Sequence, residues 1–162
     1  MAVTLDLQFA AEIDPKNVEV PERQWFEKWI LASLKKANQA DEAELTVRIV
    51  DEAEIKTLNE TYRHKTGVTN VLSFPFEAPA EVSLSEKFLG DIVICAPVIQ
   101  QEARQQDKPL LHHWAHMTVH GTLHLLGYDH ITARQAEEME TLEIDILSEF
   151  GIPNPYIETQ AQ

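Results

Sequence analysis

Residues 89–95 (LGDIVIC) form an almost continuous apolar run, and Pro97 follows shortly after it. A run this short, without regular polar alternation, is typical of a strand whose two faces are both covered. Such a strand lies inside a sheet, with other secondary structure packed against it. The run therefore predicts a central strand, and the remaining segments must supply its neighbours.

Three other segments predict further strands. Residues 3–9 and 45–50 alternate as half-buried strands do, and residues 69–75 predict a short strand that ends at Pro75. Residues 77–87 show no period and predict a surface loop.

Helical signals occupy most of the rest. The predicted helix starts are Pro21, Asp51, Pro97, Pro109 and Thr132. Glu54 and Gln135 complete capping boxes at two of these starts. The buried stripe predicted for the last helix is Ala136, Met139, Leu142, Ile146 and Phe150. Four strands and about five helices in mixed order predict an α/β (α+β) fold with one mixed sheet, as a single domain over residues 1–162.

Charge and composition limit the class of partner. The 162 residues include 13 basic and 27 acidic ones, a net charge of −14. A uniformly acidic surface repels nucleic acid and anionic membranes, so RNA binding requires a local cationic cleft. We expect no membrane span, because histidines interrupt the longest uncharged stretch. The N-terminus lacks the basic region of a secretory signal, and the single cysteine, Cys95, is typical of a reducing compartment.

The most specific motif is residues 120–130 (HGTLHLLGYDH). His120 and His124 lie four residues apart, so a helix projects both rings from one face. Gly127 can end that helix in the left-handed conformation, and His130 can then turn back toward the other two. Three imidazoles leave the fourth tetrahedral position of a zinc ion open, as in catalytic sites. The same ligands would also hold nickel, cobalt or copper.

The spacing also resembles the His-Glu-x-x-His-x-x-Gly-x-x-His motif of zinc proteases, in which the glutamate is the general base. Gly121 stands at the glutamate position here and cannot take a proton from water. The pattern therefore predicts the metal ligands and argues against a protease. The histidine row of this helix is expected to border the core. We predict that His112 and His113 are solvated. His116 is predicted to be a substrate contact or a plain polar residue, in preference to a hydrogen-bond donor that supports a metal ligand.

A cation near the metal would stabilise charge on a phosphate. Arg63 and Lys65 lie just past a predicted helix in an otherwise acidic chain. Arg63 can clamp a phosphate with two parallel hydrogen bonds. Alternatively, both residues are a pair of charges that matches the dipole at the end of the helix.

Together these segments resemble one family. Residues 120–130 closely match the signature of the YbeY family of bacterial rRNA maturation endoribonucleases. Three more segments match it in order and spacing: residues 58–65 (LNETYRHK), 69–75 (TNVLSFP) and 89–92 (LGDI). The resemblance extends over nearly the whole chain. Asn70 departs from it, since many members carry Asp there.

The resemblance implies a cytoplasmic, single-strand-specific endoribonuclease that processes rRNA, notably the 3′ end of the small-subunit rRNA, and acts in ribosome quality control. It implies one Zn²⁺ on His120, His124 and His130, with Arg63 needed for cleavage. The implied partners are rRNA and the ribosome, a small-subunit ribosomal protein and a ribosome-associated GTPase. Membranes and DNA are not expected partners.

The expected mechanism is zinc-assisted cleavage of a phosphodiester, in which Arg63 stabilises the phosphate. Lys65, Ser73 and His116 are weaker candidates for substrate contacts. Asp129 either orients a histidine or holds the turn through its backbone. No general base is evident from the sequence. Two alternatives stay open: a non-catalytic zinc-binding ribosome assembly factor, and a zinc hydrolase of another substrate.

Overall fold

The computed structural model of the protein describes residues 2–14, 16, 18–37, 42–76 and 88–157. The predicted loop over residues 77–87 lies outside the described residues. The elements are β1 (Ala2–Phe9), α1 (Arg23–Lys36), β2 (Glu42–Val50), α2 (Glu52–Tyr62), β3 (Val71–Pro75), β4 (Phe88–Cys95), α3 (Ala96–Gln105), α4 (Leu110–Leu125) and α5 (Ala133–Ser148).

The strands form one mixed sheet in the order β1-β2-β4-β3. β2 pairs in parallel with both β1 and β4, and β3 runs antiparallel along the other edge of β4. The apolar run correctly predicted an interior strand, and Ile92, Val93, Ile94 and Cys95 are all buried. The predicted α/β fold with a single mixed sheet is confirmed.

The sheet is covered by helices because its parallel pairs need crossover connections. α1 joins β1 to β2, and the chain passes through α2 and β3 before it reaches β4. The alternation predicted for β2 is present from Leu45 to Ile49: Leu45, Val47 and Ile49 are buried, while Thr46 and Arg48 are partly exposed. It fails at Val50, which is also buried. No helix within the described ranges is long and apolar enough to cross a membrane.

α4 is the most enclosed helix of the fold. It contacts α1, α3, α5, β3 and β4. The sequence predicted an apolar row with a bordering row of histidines, and this is wrong for the first half of the helix. His113, predicted to be solvated, is only 2% exposed, and His116 is 7% exposed. Because neighbours surround α4, even its polar side chains are buried and need hydrogen-bond partners.

Asp51 and Thr132 cap the helices that the sequence predicted, but only one of the two predicted capping boxes is complete. Thr132 and Gln135 form a complete capping box at α5. At α2, Asp51 Oδ1 accepts the Glu54 N–H at 3.0 Å. The Glu54 carboxylate instead pairs with Arg48, with Oε2 2.6 Å from Nε. A cation on the neighbouring strand therefore competes successfully for the side chain that would have closed the box.

Candidate metal centre

The end of α4 brings three imidazoles together. Gly127 has a φ of +102°, which glycine adopts without strain. Its N–H binds the carbonyl of His124 at 3.0 Å, and the Tyr128 N–H binds that of Leu123 at 3.0 Å. This pair of bonds is the Schellman motif, which reverses the chain at a helix end. It directs the following residues, including His130, back toward the last turn of α4.

His120, His124 and His130 each offer a ring nitrogen, and these atoms all lie within 4.8 Å of one another. The Nε2 atoms of His120 and His124 are 3.2 Å apart. Two of the rings are half-buried and that of His130 is exposed. Three converging imidazole nitrogens with one side open to solvent are a donor set that fits a divalent metal such as zinc.

The surroundings keep His124 in the form that binds a cation. Burial, followed by the nearby charges of His120 and His130, lowers the pKa of His124 to about 4. Its ring is therefore neutral at pH 7 and has a free lone pair. A neutral imidazole is the form that ligates metals.

A buried carboxylate holds the first of these histidines from behind. Glu143 of α5 is 0% exposed, and its Oε2 lies 2.9 Å from Nδ1 of His120. Its Oε1 lies 2.7 Å from Nε2 of His116 and also accepts the hydroxyl of Tyr156. Burial opposes ionisation of Glu143, but the hydrogen bonds from His116 and His120 outweigh it and lower its pKa to about 2. The carboxylate is therefore ionised and accepts from all three partners.

Sequence reasoning missed Glu143, although a signal was present. The stripe predicted for α5 passed through Leu142, whereas the buried residues are Met139, Glu143, Ile146 and Leu147. Glu143 lies four residues after Met139 and four before Leu147, which places an acid in the middle of a buried row. An acid at such a position indicates a buried partner, but the sequence does not identify it.

The three histidines line one wall of a cleft of about 670 Å³, which we call the metal cleft. Arg63, Lys65, Ser73 and Asp129, all candidates from the sequence, also line it. Its described lining contains two basic side chains and one acidic one, in a chain with a net charge of −14. The local cationic cleft that RNA binding would require is thus present beside the histidines.

Arg63 and Lys65 lie on a short segment after α2, residues 63–67, which we call the arginine loop. Both side chains are exposed. The carbonyl of buried Asn59 accepts the N–H groups of Arg63 (3.1 Å) and Lys65 (3.3 Å). Its side-chain Nδ2 donates to the Gly67 carbonyl at 3.1 Å. One buried residue, through its backbone carbonyl and its side chain, therefore holds the backbone of the loop, while both cations are exposed.

Ser73 and Gly121 join β3 to α4 at the floor of the metal cleft. Ser73 Oγ donates to the Gly121 carbonyl at 3.0 Å. A Cβ added at Gly121 would lie 2.8 Å from Cγ2 of Ile92 and 3.3 Å from Oγ of Ser73. The position that carries the catalytic glutamate in zinc proteases thus faces the sheet here, and only a glycine fits without rearrangement.

The sequence left alternatives open for His116 and Asp129, and the structure gives the position of each. His116 is buried outside the metal cleft and binds Glu143, so the structure does not bring it to the substrate side. Burial lowers its pKa, although Glu143 raises it. Asp129 lies in the cleft, and its Oδ1 accepts the backbone N–H of His130 at 2.8 Å. Of the two roles predicted for Asp129, this contact corresponds to holding the turn.

Asn70, where the sequence departs from the family pattern, also lines the cleft. Its Nδ2 donates to both oxygens of Glu102 at 3.2 and 3.3 Å, and its Oδ1 accepts the Val71 N–H at 2.7 Å. An aspartate here would place a second carboxylate against Glu102. The amide at position 70 is therefore matched to the acid at position 102.

Comparisons with known proteins agree with this geometry. A protein-family model described as endoribonuclease YbeY matches residues 9–151. Those residues include the histidine motif, the arginine loop and all the strands except most of β1. The solution structure of TM1509 from Thermotoga maritima is similar over 98% of this chain and 100% of that chain, with a TM-score of 0.54 and 22% identity. At that identity the similarity concerns the fold alone.

Proposed function

Because the chain belongs to the YbeY endoribonuclease family, we propose that it is a metal-dependent, single-strand-specific endoribonuclease. We propose that it acts on rRNA, notably at the 3′ end of the small-subunit rRNA, and in ribosome quality control. The observation that carries the proposal is the metal cleft, where three imidazole nitrogens and two free cations line one cavity of an acidic protein.

In this proposal His120, His124 and His130 hold one zinc ion. A zinc ion bound to three imidazoles supplies Lewis acidity toward a phosphoryl oxygen or water. The low pKa of His124 keeps its ring neutral, with a lone pair available for the metal, across the neutral range. The Schellman turn at Gly127 and the bond from the His130 N–H to Asp129 hold the third ligand near the other two.

The other wall of the metal cleft binds the RNA backbone. Arg63 donates two parallel hydrogen bonds to a phosphate and stabilises the charge that develops there. Lys65 adds a mobile point charge for a neighbouring phosphate. Ser73 already donates its proton to the Gly121 carbonyl, so its oxygen is left to accept a hydrogen bond, such as one from a ribose hydroxyl.

The cleft offers few groups that could take a proton. Among the described residues that line it, Asp129 is the sole carboxylate, and one of its oxygens is occupied by the His130 N–H. The 2′-hydroxyl of the RNA, acting as an internal nucleophile, would replace water as the attacking group, and its proton would pass to the other oxygen of Asp129 or to solvent. This fits a ribonuclease better than an enzyme that cleaves peptides.

The cellular setting follows from the family resemblance. We infer action in the cytoplasm on the ribosome, with a small-subunit ribosomal protein and a ribosome-associated GTPase as partners. The exposed acids of α5, such as Glu137 and Asp145, do not line the metal cleft. They would therefore not repel RNA there, and they suit a basic protein partner.

The test is cleavage of a single-stranded RNA that spans the 3′ end of the small-subunit rRNA. Zinc-loaded wild type is compared with His124→Ala and Arg63→Ala, all purified identically. His112→Ala and Arg134→Ala are matched controls, since neither residue lines the metal cleft. We expect cleavage by wild type and both controls, and its loss in the two cleft variants.

Equal cleavage by all five proteins would indicate a contaminating nuclease and would contradict the proposal. A duplex of the same sequence tests strand specificity and should remain intact. Cleavage of casein in place of RNA would favour a zinc hydrolase of another substrate.

A further inference from the structure

Both carboxylate oxygens of Glu143 accept hydrogen bonds, and these bonds link the metal cleft to the segment that follows α5. Oε2 accepts from Nδ1 of His120 on one side. On the other side, Oε1 accepts from Nε2 of His116 and from the hydroxyl of Tyr156. Two ring nitrogens and a phenol hydroxyl converge on two carboxylate oxygens, and this geometry assigns the role of donor to each of the three partner atoms.

This arrangement determines which ring nitrogen of His120 has the lone pair that can bind a metal. With the proton on Nδ1, the lone pair is on Nε2, the atom that lies 3.2 Å from Nε2 of His124. Rotation of the Glu143 carboxylate would release that proton and allow the opposite tautomer, in which Nε2 carries a hydrogen into the cleft. The orientation of one buried carboxylate therefore controls whether His120 is a ligand.

Tyr156 holds the carboxylate from the segment after α5. Its N–H binds Oδ1 of Asn154 at 2.8 Å, and Nζ of Lys108 binds the neighbouring Pro155 carbonyl at 3.4 Å. The ring of Tyr156 packs edge-on against His116, with 5.3 Å between centroids. The segment thus lies over α4, and its hydroxyl reaches the same oxygen that His116 binds.

We propose that Glu143 and Tyr156 are positioning residues of the metal centre: Glu143 fixes the tautomer and orientation of His120, and the Tyr156 hydroxyl fixes Glu143. The proposal rests on the metal site assigned under the proposed function, and it does not depend on RNA being the substrate. Neither residue touches the metal or the RNA. Both act through His120.

A purely structural role would have different requirements. A row of buried residues on α5 that served packing alone would be filled best by an apolar side chain, because an ionised carboxylate is costly to bury. Three hydrogen bonds to Glu143 offset the free-energy cost of burying its charge, and one of them comes from His120, a proposed metal ligand.

The decisive measurement is the zinc affinity of the metal-free protein, by competition with a chromogenic chelator. Glu143→Gln keeps the shape but places an amide N–H₂ against one of the donors. We expect its zinc dissociation constant to rise by about 10- to 100-fold. Tyr156→Phe removes one hydroxyl, one bond further from the ligand, and we expect a smaller rise of about 2- to 10-fold.

Two further readouts separate positioning from folding. The visible spectrum of the Co²⁺-loaded protein reports ligand geometry and should change in both variants. The melting temperature of the metal-free protein reports folding and should stay close to wild type for Tyr156→Phe. Glu138→Gln and Tyr62→Phe are matched controls on exposed side chains, and we expect wild-type values for both.

Wild-type zinc affinity and an unchanged Co²⁺ spectrum in folded Glu143→Gln and Tyr156→Phe would overturn the proposal. If Glu143→Gln does not fold, Tyr156→Phe decides alone. A wild-type protein that binds no zinc would overturn it as well. A wild-type protein that binds zinc but leaves RNA intact would contradict the nuclease only, and the zinc affinities of the variants would still support the positioning role.

Discussion

The two walls of the metal cleft are held in opposite ways. The wall of His120, His124 and His130 is built on the end of a buried helix, and Glu143 braces it with buried side-chain hydrogen bonds. The arginine loop is held through its backbone, by Asn59 and by the Glu60 carboxylate, and its cations are exposed. A metal ion needs donors at fixed positions, whereas a flexible RNA backbone is bound well by cations that can move.

The largest effect should come from removing a ligand. In His124→Ala we expect RNA cleavage below detection and zinc affinity lowered by more than about 100-fold, above the effect of losing an outer partner. His112→Ala, four residues before His116 on the same helix, should retain wild-type values. Chelator competition and an RNA cleavage assay measure both quantities. Wild-type zinc affinity in His124→Ala would refute this assignment of the fixed wall.

Arg63 tests whether the two walls are independent. Arg63→Ala should lower kcat/KM for RNA by about 10²- to 10³-fold, because the cation that stabilises charge on the phosphate is lost. Zinc affinity should stay at the wild-type value, since Arg63 touches no histidine. Arg63→Lys should recover part of the rate, because a lysine keeps the charge but not the paired hydrogen bonds. A fall in zinc affinity would show that the walls are coupled.

Gly121 packs against Ile92 of β4 and against Ser73 of β3, which lines the metal cleft. In Gly121→Ala the new Cβ would lie 2.8 Å from Cγ2 of Ile92. Overpacking costs about 1–3 kcal/mol, and the higher helix propensity of alanine offsets about 1 kcal/mol of this. We therefore expect a lower melting temperature in metal-free protein. A higher melting temperature in the variant would contradict this expectation, because it would mean that the sheet accommodates the added methyl group without strain.

The smallest effect concerns Glu102, which anchors the start of β3 through Asn70. Burial raises the pKa of Glu102, but hydrogen bonds from His113 and Asn70 outweigh it and lower the pKa below its usual range. Its contribution to stability is therefore complete above the unfolded pKa of about 4.3 and is lost as pH falls through the lower folded pKa. Glu102→Gln should cost about 1 kcal/mol at neutral pH.

Chemical denaturation of both proteins at several pH values measures this difference. We expect the gap between wild type and Glu102→Gln to narrow as the pH falls below about 4. A gap that is the same at neutral and acidic pH would show that the charge of Glu102 contributes nothing.

Local patterns in the sequence determined the elements and the cluster of three histidines. The spacing of His120, His124 and Gly127 encodes two rings on one helix face and a helix end, and the structure has both. The apolar run of β4 and the capping box at Thr132 were predicted on the same basis, because each depends on residues within a few positions of one another.

Only the tertiary structure decided what surrounds those ligands. Glu143 reaches His120 across 23 positions of sequence, and His116 is buried instead of facing the substrate, because α5 packs against α4. The preference for glycine at position 121 comes from Ile92 on a strand, not from the helix itself. Periodicity specifies which face of an element is buried, but the partner that covers it depends on how distant elements pack, and no local spacing records that.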